Sequence, residues 1–460
     1  MEKFYLSEYL SQTAENENSL SFRELCDRAR EGLAAQWEDE RREDLPSMLQ
    51  LQKKALIGYE NEVAYFKSRI RELVKELDAE QASFPPWYES LTDGIYHEVW
   101  GLAGMSQWFS EAYRSSSSAK IIGDRIYFLE GGKMRLMPQR MDRERREQLL
   151  RAFLLLTPEE RLDRDFHEIY LLDGTRITVF GGAMVKEGQD VVIFRRYVIP
   201  EYSFEEQASR GTIPEEAIPL FRAMVEAGYN VAFTGAVRTA KTSFLCTWQS
   251  YEDRSLEGVM VETDPEIPLH QLMPEAPVVQ LLADNEKLKT ISKNLLRSDA
   301  DYFVLAEARD GNALDTALRI AGKGVRRMKI TFHSGSPLRF PWDVAWEIVR
   351  SMGGDMELTA RKAAASFDYV FHFIQMKDKG KKRLKSIYEM QLDPGTGEIV
   401  MTPLCLYDPA GDRWRWRDRL GEEKEKAGLE EDPEALLRIR EALGVLAAKF
   451  PMEVKDHELG

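Results

Sequence analysis

The segment that most constrains this chain is residues 230–245, NVAFTGAVRTAKTSFL. Asn230 to Thr234 reads as a short buried strand and Lys241 onward as a helix, joined by the turn Gly235-Ala236-Val237-Arg238-Thr239-Ala240-Lys241-Thr242. Spacing and ends match the phosphate-binding loop G-x-x-x-x-G-K-[ST], except that Ala240 stands at the second glycine. Such a loop works because backbone N–H groups curl around phosphate at a helix N-terminus, where the helix dipole is positive. Lys241 would neutralise β- and γ-phosphates, and Thr242 would ligate Mg²⁺. At positive φ the Cβ of Ala240 costs about 1–2 kcal/mol. By itself the loop leaves nucleotide binding and coincidence equally open.

Three downstream segments alter that balance. GVMVETDPEI reads as a strand ending in Glu262, with Asp264 and Glu266 beyond it. ADYFVLAEARDGNALDTAL is an apolar strand that delivers Glu307 at its C-terminal end, and MKITFHSGSP is another, ending in His333. Ligands bind at that edge of open parallel sheets. Singly, a strand-end Glu is most often solvated and a lone His most often a satisfied hydrogen-bonding group. Their order and shared strand-end position favour a phosphoryl-transfer site.

Around this core the pattern strand, glycine-containing turn, helix repeats, which is the signature of a parallel α/β sheet. With 460 residues the chain is too long for one ordinary core. Residues 1–84 read as a helical N-terminal extension. Within it Val63, Phe66, Ile70, Val74 and Leu77 form an amphipathic stripe, usually a packing face and sometimes a partner surface. Residues 85–200 read as a smaller α/β domain, 201–410 as the phosphate-loop domain, and 411–460 as a charged C-terminal tail with a helix at 433–450, its charges most simply a solvated face. Cys26, Cys246 and Cys405 are odd in number and far apart, which opposes a disulfide framework or zinc site and fits a reducing cytoplasm. No apolar run approaches the ~20 residues needed to span a bilayer. The opening MEKFYLSEYL does not look like a signal peptide. A net charge of −15 opposes a large nucleic-acid footprint.

Taken in order, these motifs resemble the secretion ATPase superfamily of type II/type IV secretion and pilus motors. Within it they are most similar to the CpaF-type ATPases of Flp/Tad pili. The Walker A loop of that family looks like 230–245 here. Its Asp box is similar to Val261-Glu262-Thr263-Asp264-Pro265-Glu266-Ile267, its Walker B segment to residues 301–313 with Glu307 and Arg309, and its His box to Thr331-Phe332-His333-Ser334-Gly335-Ser336-Pro337. AAASFDYVFHF and KGKKRLKSIYEM look like the closing strands, with Lys379-Gly380-Lys381 as a hairpin turn. A solvated turn accounts for that basic cluster better than a nucleic-acid site does. VVIFRRY is similar to the interdomain segment of the family, which makes Arg195 and Arg196 candidates for reaching nucleotide phosphates; as isolated residues they read as surface arginines.

The resemblance implies a RecA-like P-loop domain and a cytoplasmic homo-hexamer that uses ATP and Mg²⁺. It also implies peripheral association with an inner-membrane pilus or secretion platform. Residues 235–243, including Ser243, with Arg195, Arg196 and Arg309, would contact nucleotide, and Thr242 with Glu307 would manage Mg²⁺. Glu262 would polarise the attacking water and His333 would sense the γ-phosphate. Departures from the family pattern are concentrated in backbone-permissive positions: Ala236, Arg238 and Ala240 replace loop glycines, Ala306 replaces the Walker B glycine, and Thr263 replaces an Asp. The turn before the His box is Gly322-Lys323-Gly324, without its usual His. These departures motivate a second expectation, a pseudo-ATPase scaffold subunit. The acidic balance and missing basic-aromatic patch disfavour a DNA-translocating motor.

Overall fold

The computed structural model describes residues 20–39, 45–154, 166–171, 174–196, 201–263, 266–283, 285–295, 299–308 and 310–452. The chain forms two compact units, Met1–Val198 and Ile199–Gly460.

In the first unit, helices α1 (Phe22–Asp39), α2 (Leu45–Ile57), α3 (Glu60–Glu76) and α4 (Leu91–Val99) precede strands β1 (Ser118–Ile122), β2 (Arg125–Glu130) and β3 (Lys133–Arg140). Helix α5 (Arg143–Leu154) and strands β4 (Phe166–Tyr170), β5 (Arg176–Phe180) and β6 (Val191–Arg195) follow. Phe66, Ile70 and Val74 of α3 are buried against Phe22, Leu25 and Tyr96, so the N-terminal stripe is a packing face. The six strands form one antiparallel sheet in the order β3-β2-β1-β6-β5-β4. Gly131 and Gly132, at φ 52° and 74°, turn β2 into β3, the left-handed pair a tight hairpin needs.

The second unit opens with α6 (Phe204–Ser209) and α7 (Ile218–Glu226) and then alternates strand and helix. The series runs β7 (Val231–Gly235), α8 (Lys241–Ser250), β8 (Gly258–Glu262), α9 (Leu269–Leu272), β9 (Val278–Leu282), α10 (Asn285–Leu295), β10 (Tyr302–Leu305), α11 (Gly311–Ala321) and β11 (Lys329–Phe332). Helices α12 (Phe340–Met352) and α13 (Met356–Ser366) lead to β12 (Tyr369–Gln375), β13 (Lys382–Leu392), β14 (Ile399–Asp408) and β15 (Arg413–Trp416), then α14 (Glu422–Glu431) and α15 (Pro433–Lys449). The nine strands lie in the order β15-β14-β13-β12-β7-β11-β10-β8-β9. From β12 to β9 neighbours are parallel, and β12 through β15 are antiparallel. Strands β7, β8, β10 and β11 are buried along their whole length, as expected for a sheet covered on both faces.

The loop strand β7 sits between β11 and β12, neither its sequence neighbour, and β11 separates it from β10. This is the RecA-like α/β arrangement of P-loop type. Behind it an aromatic floor joins α8 to the sheet: Phe244 lies 4.9 Å from Phe373, and Trp248 lies 5.2 Å from Phe371 and 5.7 Å from Phe233, ring centre to ring centre. Residues after Asp408, read from sequence as a charged tail, contribute an edge strand and two helices to this unit. Trp414, Trp416, Leu436, Ile439, Leu443 and Leu446 are buried in its core, and α15 packs on α7. Asp432 caps α15 by accepting the Ala435 N–H at 2.9 Å, with Pro433 in the first turn.

Candidate functional site

Four strand ends converge at the C-terminal edge of the parallel sheet. Strand β7 ends in Gly235, β8 in Glu262, β10 is followed by Glu307 two residues on, and β11 runs directly into His333. The register brings Thr234 beside Phe332 and Leu305 beside both Val261 and Ile330, so these residues leave the sheet at one level.

Gly235, at φ 141°, cannot be replaced by a larger residue. A Cβ there would lie 2.3 Å from the Phe373 carbonyl oxygen. The loop then turns through Arg238 at φ 65° and Ala240 at φ 76°, ψ 17°. Both hold the left-handed conformation that glycine adopts freely and a Cβ opposes by about 1–2 kcal/mol. Ala240 is the N-cap of α8 and has no side-chain acceptor for the first-turn amides. Thr239 closes the turn by donating its hydroxyl to the Ala236 carbonyl at 2.9 Å. The loop backbone therefore takes the nest-like course without its glycines, and stores strain in doing so.

Lys241 is buried, with its ammonium donating to the carbonyls of Gly235 (3.0 Å) and Ala236 (2.7 Å) and lying 3.3 Å from His333 Nδ1. Thr242 lines a narrow crevice with Glu262, Thr263, Glu266, Ile267, Ala306 and Glu307. Glu262 is buried, and its Oε2 accepts the backbone N–H groups of Glu266 and Ile267, each at 3.1 Å. Glu307 is a non-glycine residue at φ 56°. Its N–H donates to the Thr331 hydroxyl at 2.7 Å, and the next N–H, of Ala308, donates to the Thr331 carbonyl at 3.0 Å. Thr331 thus pins the strained backbone that carries the Glu307 carboxylate to the neighbouring strand. Ser334 Oγ lies 2.7 Å from Asp343 Oδ2 and 2.8 Å from the Ser336 carbonyl, which holds the turn after His333.

Of the sequence candidates, Gly235 through Ser243, Glu262, Glu307 and His333 share this edge. Val237 is exposed and Ser243 is buried in α8. Arg309 and Asp264 lie outside the described residues. Arg195 and Arg196 belong to the first unit. Arg196, expected at a phosphate, is engaged inside its own unit: the guanidinium donates to the carbonyls of Ser116 (3.1 Å), Trp108 (2.9 Å) and Tyr113 and lies 4.0 Å from the Trp108 ring centre. Arg195 ends β6, paired with Ser118 on one side and Arg176 on the other.

Two residues next to the loop carried no sequence-level role. Thr234 Oγ1 is 3.0 Å from His372 Nδ1, joining β7 to β12. Burial, with smaller contributions from Lys385 and Lys241, pushes the His372 pKa down to about 4, so its ring is neutral at pH 7. Nothing local in the sequence marks His372, because its neighbour on β7 lies 138 positions away.

Among the described residues no group of three or more His, Cys, Asp or Glu is placed to hold a metal by itself. The crevice instead offers the hydroxyl of Thr242 with the carboxylates of Glu262 and Glu307. These are hard oxygen donors of the kind Mg²⁺ takes when phosphates complete its coordination. No helix among the described residues is long and apolar enough to cross a membrane.

Sheet order and phosphate-loop geometry define the second unit as a RecA-like α/β domain of P-loop type. No family model and no curated protein matches the chain. Among solved structures it is similar to the VirB11 ATPase from the Brucella suis type IV secretion system in complex with sulphate. That match has 17% identity and a TM-score of 0.34, and covers 62% of this chain and 92% of that one. It is also similar to the Legionella pneumophila ATPase DotB (15% identity, TM-score 0.43, 77% and 94% covered). A third is the pilus retraction motor PilT with bound ADP (12%, 0.42, 75% and 93%).

Proposed function

We propose that the chain is an ATP-binding, Mg²⁺-dependent motor subunit of a type II/type IV-like secretion or Flp/Tad-type pilus machine, closest to the CpaF type. The observation that supports this most is the convergence of Lys241, Thr242, Glu262, Glu307 and His333 on one sheet edge, in the order the motifs occupy in sequence. In this reading Lys241 exchanges the carbonyls of Gly235 and Ala236 for phosphate oxygens. Thr242 and Glu307 hold Mg²⁺, which supplies charge neutralisation on the phosphates when bound. Glu262, held rigid by two amides, faces the attacking water. His333, 3.3 Å from Lys241, reports on the terminal phosphate. The working form is a cytoplasmic homo-hexamer docked on an inner-membrane platform, without nucleic acid.

A second reading is favoured by the loop itself: with Arg238 and Ala240 at positive φ, the same fold serves as a slow or non-hydrolysing, nucleotide-gated scaffold. MgATP binding and steady-state hydrolysis by the purified chain separate the two, with Lys241→Ala and Glu307→Gln as controls. The motor reading expects turnover that falls at least ~100-fold in Glu307→Gln, the scale seen when one transition-state contact is removed. Turnover no higher than in Glu307→Gln overturns the motor; tight binding that persists without turnover selects the scaffold.

A further inference from the structure

The basic hairpin between β12 and β13 lies beside the phosphate loop. Strand β12 runs parallel to β7, and their last paired residues are Phe373 and Gly235. Beyond that pair β12 continues through Ile374 and Gln375, about 7 Å at 3.3 Å per residue, so the turn at 376–381 projects past the same sheet edge from which the loop at 236–240 departs. The turn is well formed: Lys381 N–H donates to the Asp378 carbonyl at 2.9 Å, Gly380 N–H to Asp378 Oδ1 at 3.0 Å, and Gln375 Nε2 to the Lys379 carbonyl at 3.0 Å.

What this turn displays is positive charge. Lys377, Lys379 and Lys381 are exposed, as is Arg238 in the loop. Among the described residues none of these four is in an ion pair, although the chain as a whole is strongly acidic. Two acids stand nearby: Asp378 accepts the Gly380 N–H, and Asp412 binds Arg383 at 3.1 Å. Lys382, at the base of the hairpin, is held below its ordinary pKa by burial and by the Arg238 charge, against an opposing pull from Asp378. The charge of Arg238 is thus felt at the base of the hairpin, which couples the positive charges of the two elements. Asp378 and Asp412 offset part of this charge, Asp412 feeling Lys381 as well as Arg383, but four exposed cations outnumber them, and a net positive patch of this kind draws polyanions. No aromatic side chain stands in residues 375–382 for a base to stack on, which disfavours single-stranded nucleic acid as the occupant.

We propose that Lys377, Lys379 and Lys381, together with Arg238, form an anion shelf that takes the outer phosphates of a nucleoside triphosphate bound in the adjoining loop. The shelf replaces, with side-chain charge, attraction that a glycine-rich loop supplies with backbone amides. It deepens the nucleotide-binding reading and rests on it. Arg238 is then a ligand in its own right, at a position where the resemblance expects glycine.

The test measures binding of ATP, ADP and inorganic tripolyphosphate to the full-length chain. The proteins compared are the unaltered chain, Arg238→Gln, the triple variant Lys377→Gln/Lys379→Gln/Lys381→Gln, and Lys241→Ala. All four altered side chains of the shelf are exposed, so unchanged circular dichroism and Tm are expected. The triple variant is expected to lose about tenfold in ATP and tripolyphosphate affinity at low salt, less for ADP, with a shallower salt dependence. Unchanged triphosphate affinity in the triple and Arg238→Gln variants, with loss in Lys241→Ala, overturns the shelf and leaves the loop reading standing. No triphosphate binding by the unaltered chain overturns both. Loss of binding to anionic lipid vesicles with tripolyphosphate affinity intact also overturns the shelf, and makes a membrane surface the occupant.

Discussion

Two lysines of the second unit are buried at opposite ends of the same parallel sheet, and they are satisfied differently. Lys329 opens β11 at the edge away from the loop; Lys241 lies at the loop edge. The ammonium of Lys329 pairs with Glu252 and sits 4.4 Å from the Tyr302 ring centre. Glu252 also pairs with Arg327, whose guanidinium reaches the carbonyls of Val225 (3.1 Å) and Glu226 (2.8 Å) at the C-terminus of α7, and Glu431 at 3.2 Å. That end is a closed charge network fastening α7, α8, β11 and α14, with cations at helix C-termini where the dipole favours them. Lys241 donates to two neutral carbonyls of its own loop and faces a histidine. A charge matched by a buried carboxylate is committed to the fold, whereas hydrogen bonds to loop carbonyls, like those Lys241 makes, can be exchanged for a ligand's oxygens.

The comparison breaks most directly at Glu252. Glu252→Gln leaves Lys329 buried without its counter-charge and loosens Arg327, so a loss of about 3–5 kcal/mol is expected in urea unfolding. Lys241→Ala in the same assay is expected to cost less, since the hydrogen bonds it loses to the Gly235 and Ala236 carbonyls are worth about 1 kcal/mol each. Equal losses would erase the distinction between the two ends.

A smaller effect concerns His372, behind the loop. Its folded pKa of about 4 lies below the value near 6.5 of an unfolded imidazole. Between those values the unfolded chain takes up a proton that the folded chain refuses. Stability at this residue is therefore full above pH 6.5 and is lost as pH falls toward 4, by up to about 3 kcal/mol. His372→Gln should flatten that part of the pH–stability curve measured against the unaltered chain. An NMR titration placing His372 near 6.5 would remove it from the buried set. Lys241→Ala should also raise the His372 pKa slightly, by removing one of the charges that depress it.

The smallest expected effect is at Ala240. Glycine relieves about 1–2 kcal/mol of left-handed strain and gives back roughly half of that in unfolded-chain entropy. Ala240→Gly should therefore stabilise by about 0.5–1 kcal/mol in thermal or urea unfolding and tighten nucleotide binding. A net destabilisation would show that the loop is not strained at this position.

Much of the site was legible because its signals are local. Period and turn chemistry marked the β7–loop–α8 unit around Gly235, and short apolar runs marked the strands that end at Glu262, Glu307 and His333. The two halves of the β12–β13 hairpin were readable through the resemblance to the closing strands of the secretion ATPases. What the residues do to one another was not readable. Thr331 holds Glu307 from 24 positions away, and His372 meets Thr234 from 138. Arg196 finds its carbonyls 80 to 88 residues upstream, which no local pattern announces.

The final fifty residues make the same point. They read as a charged tail with a helix whose charges form a solvated face; the structure adds that Trp414, Trp416 and the apolar stripe of α15 close the core of the second unit, because one face of a charged helix is enough to bury. By itself the sequence determined which segments are strand, turn and helix, and which chemical groups stand at the strand ends. Only the tertiary structure decided that β11 lies between β7 and β10, that Lys329 is paired with Glu252, and that Lys241 donates to the carbonyls of its own loop. Periodicity is a property of neighbouring residues in the chain, whereas strand order and charge pairing depend on contacts closed across tens to hundreds of residues.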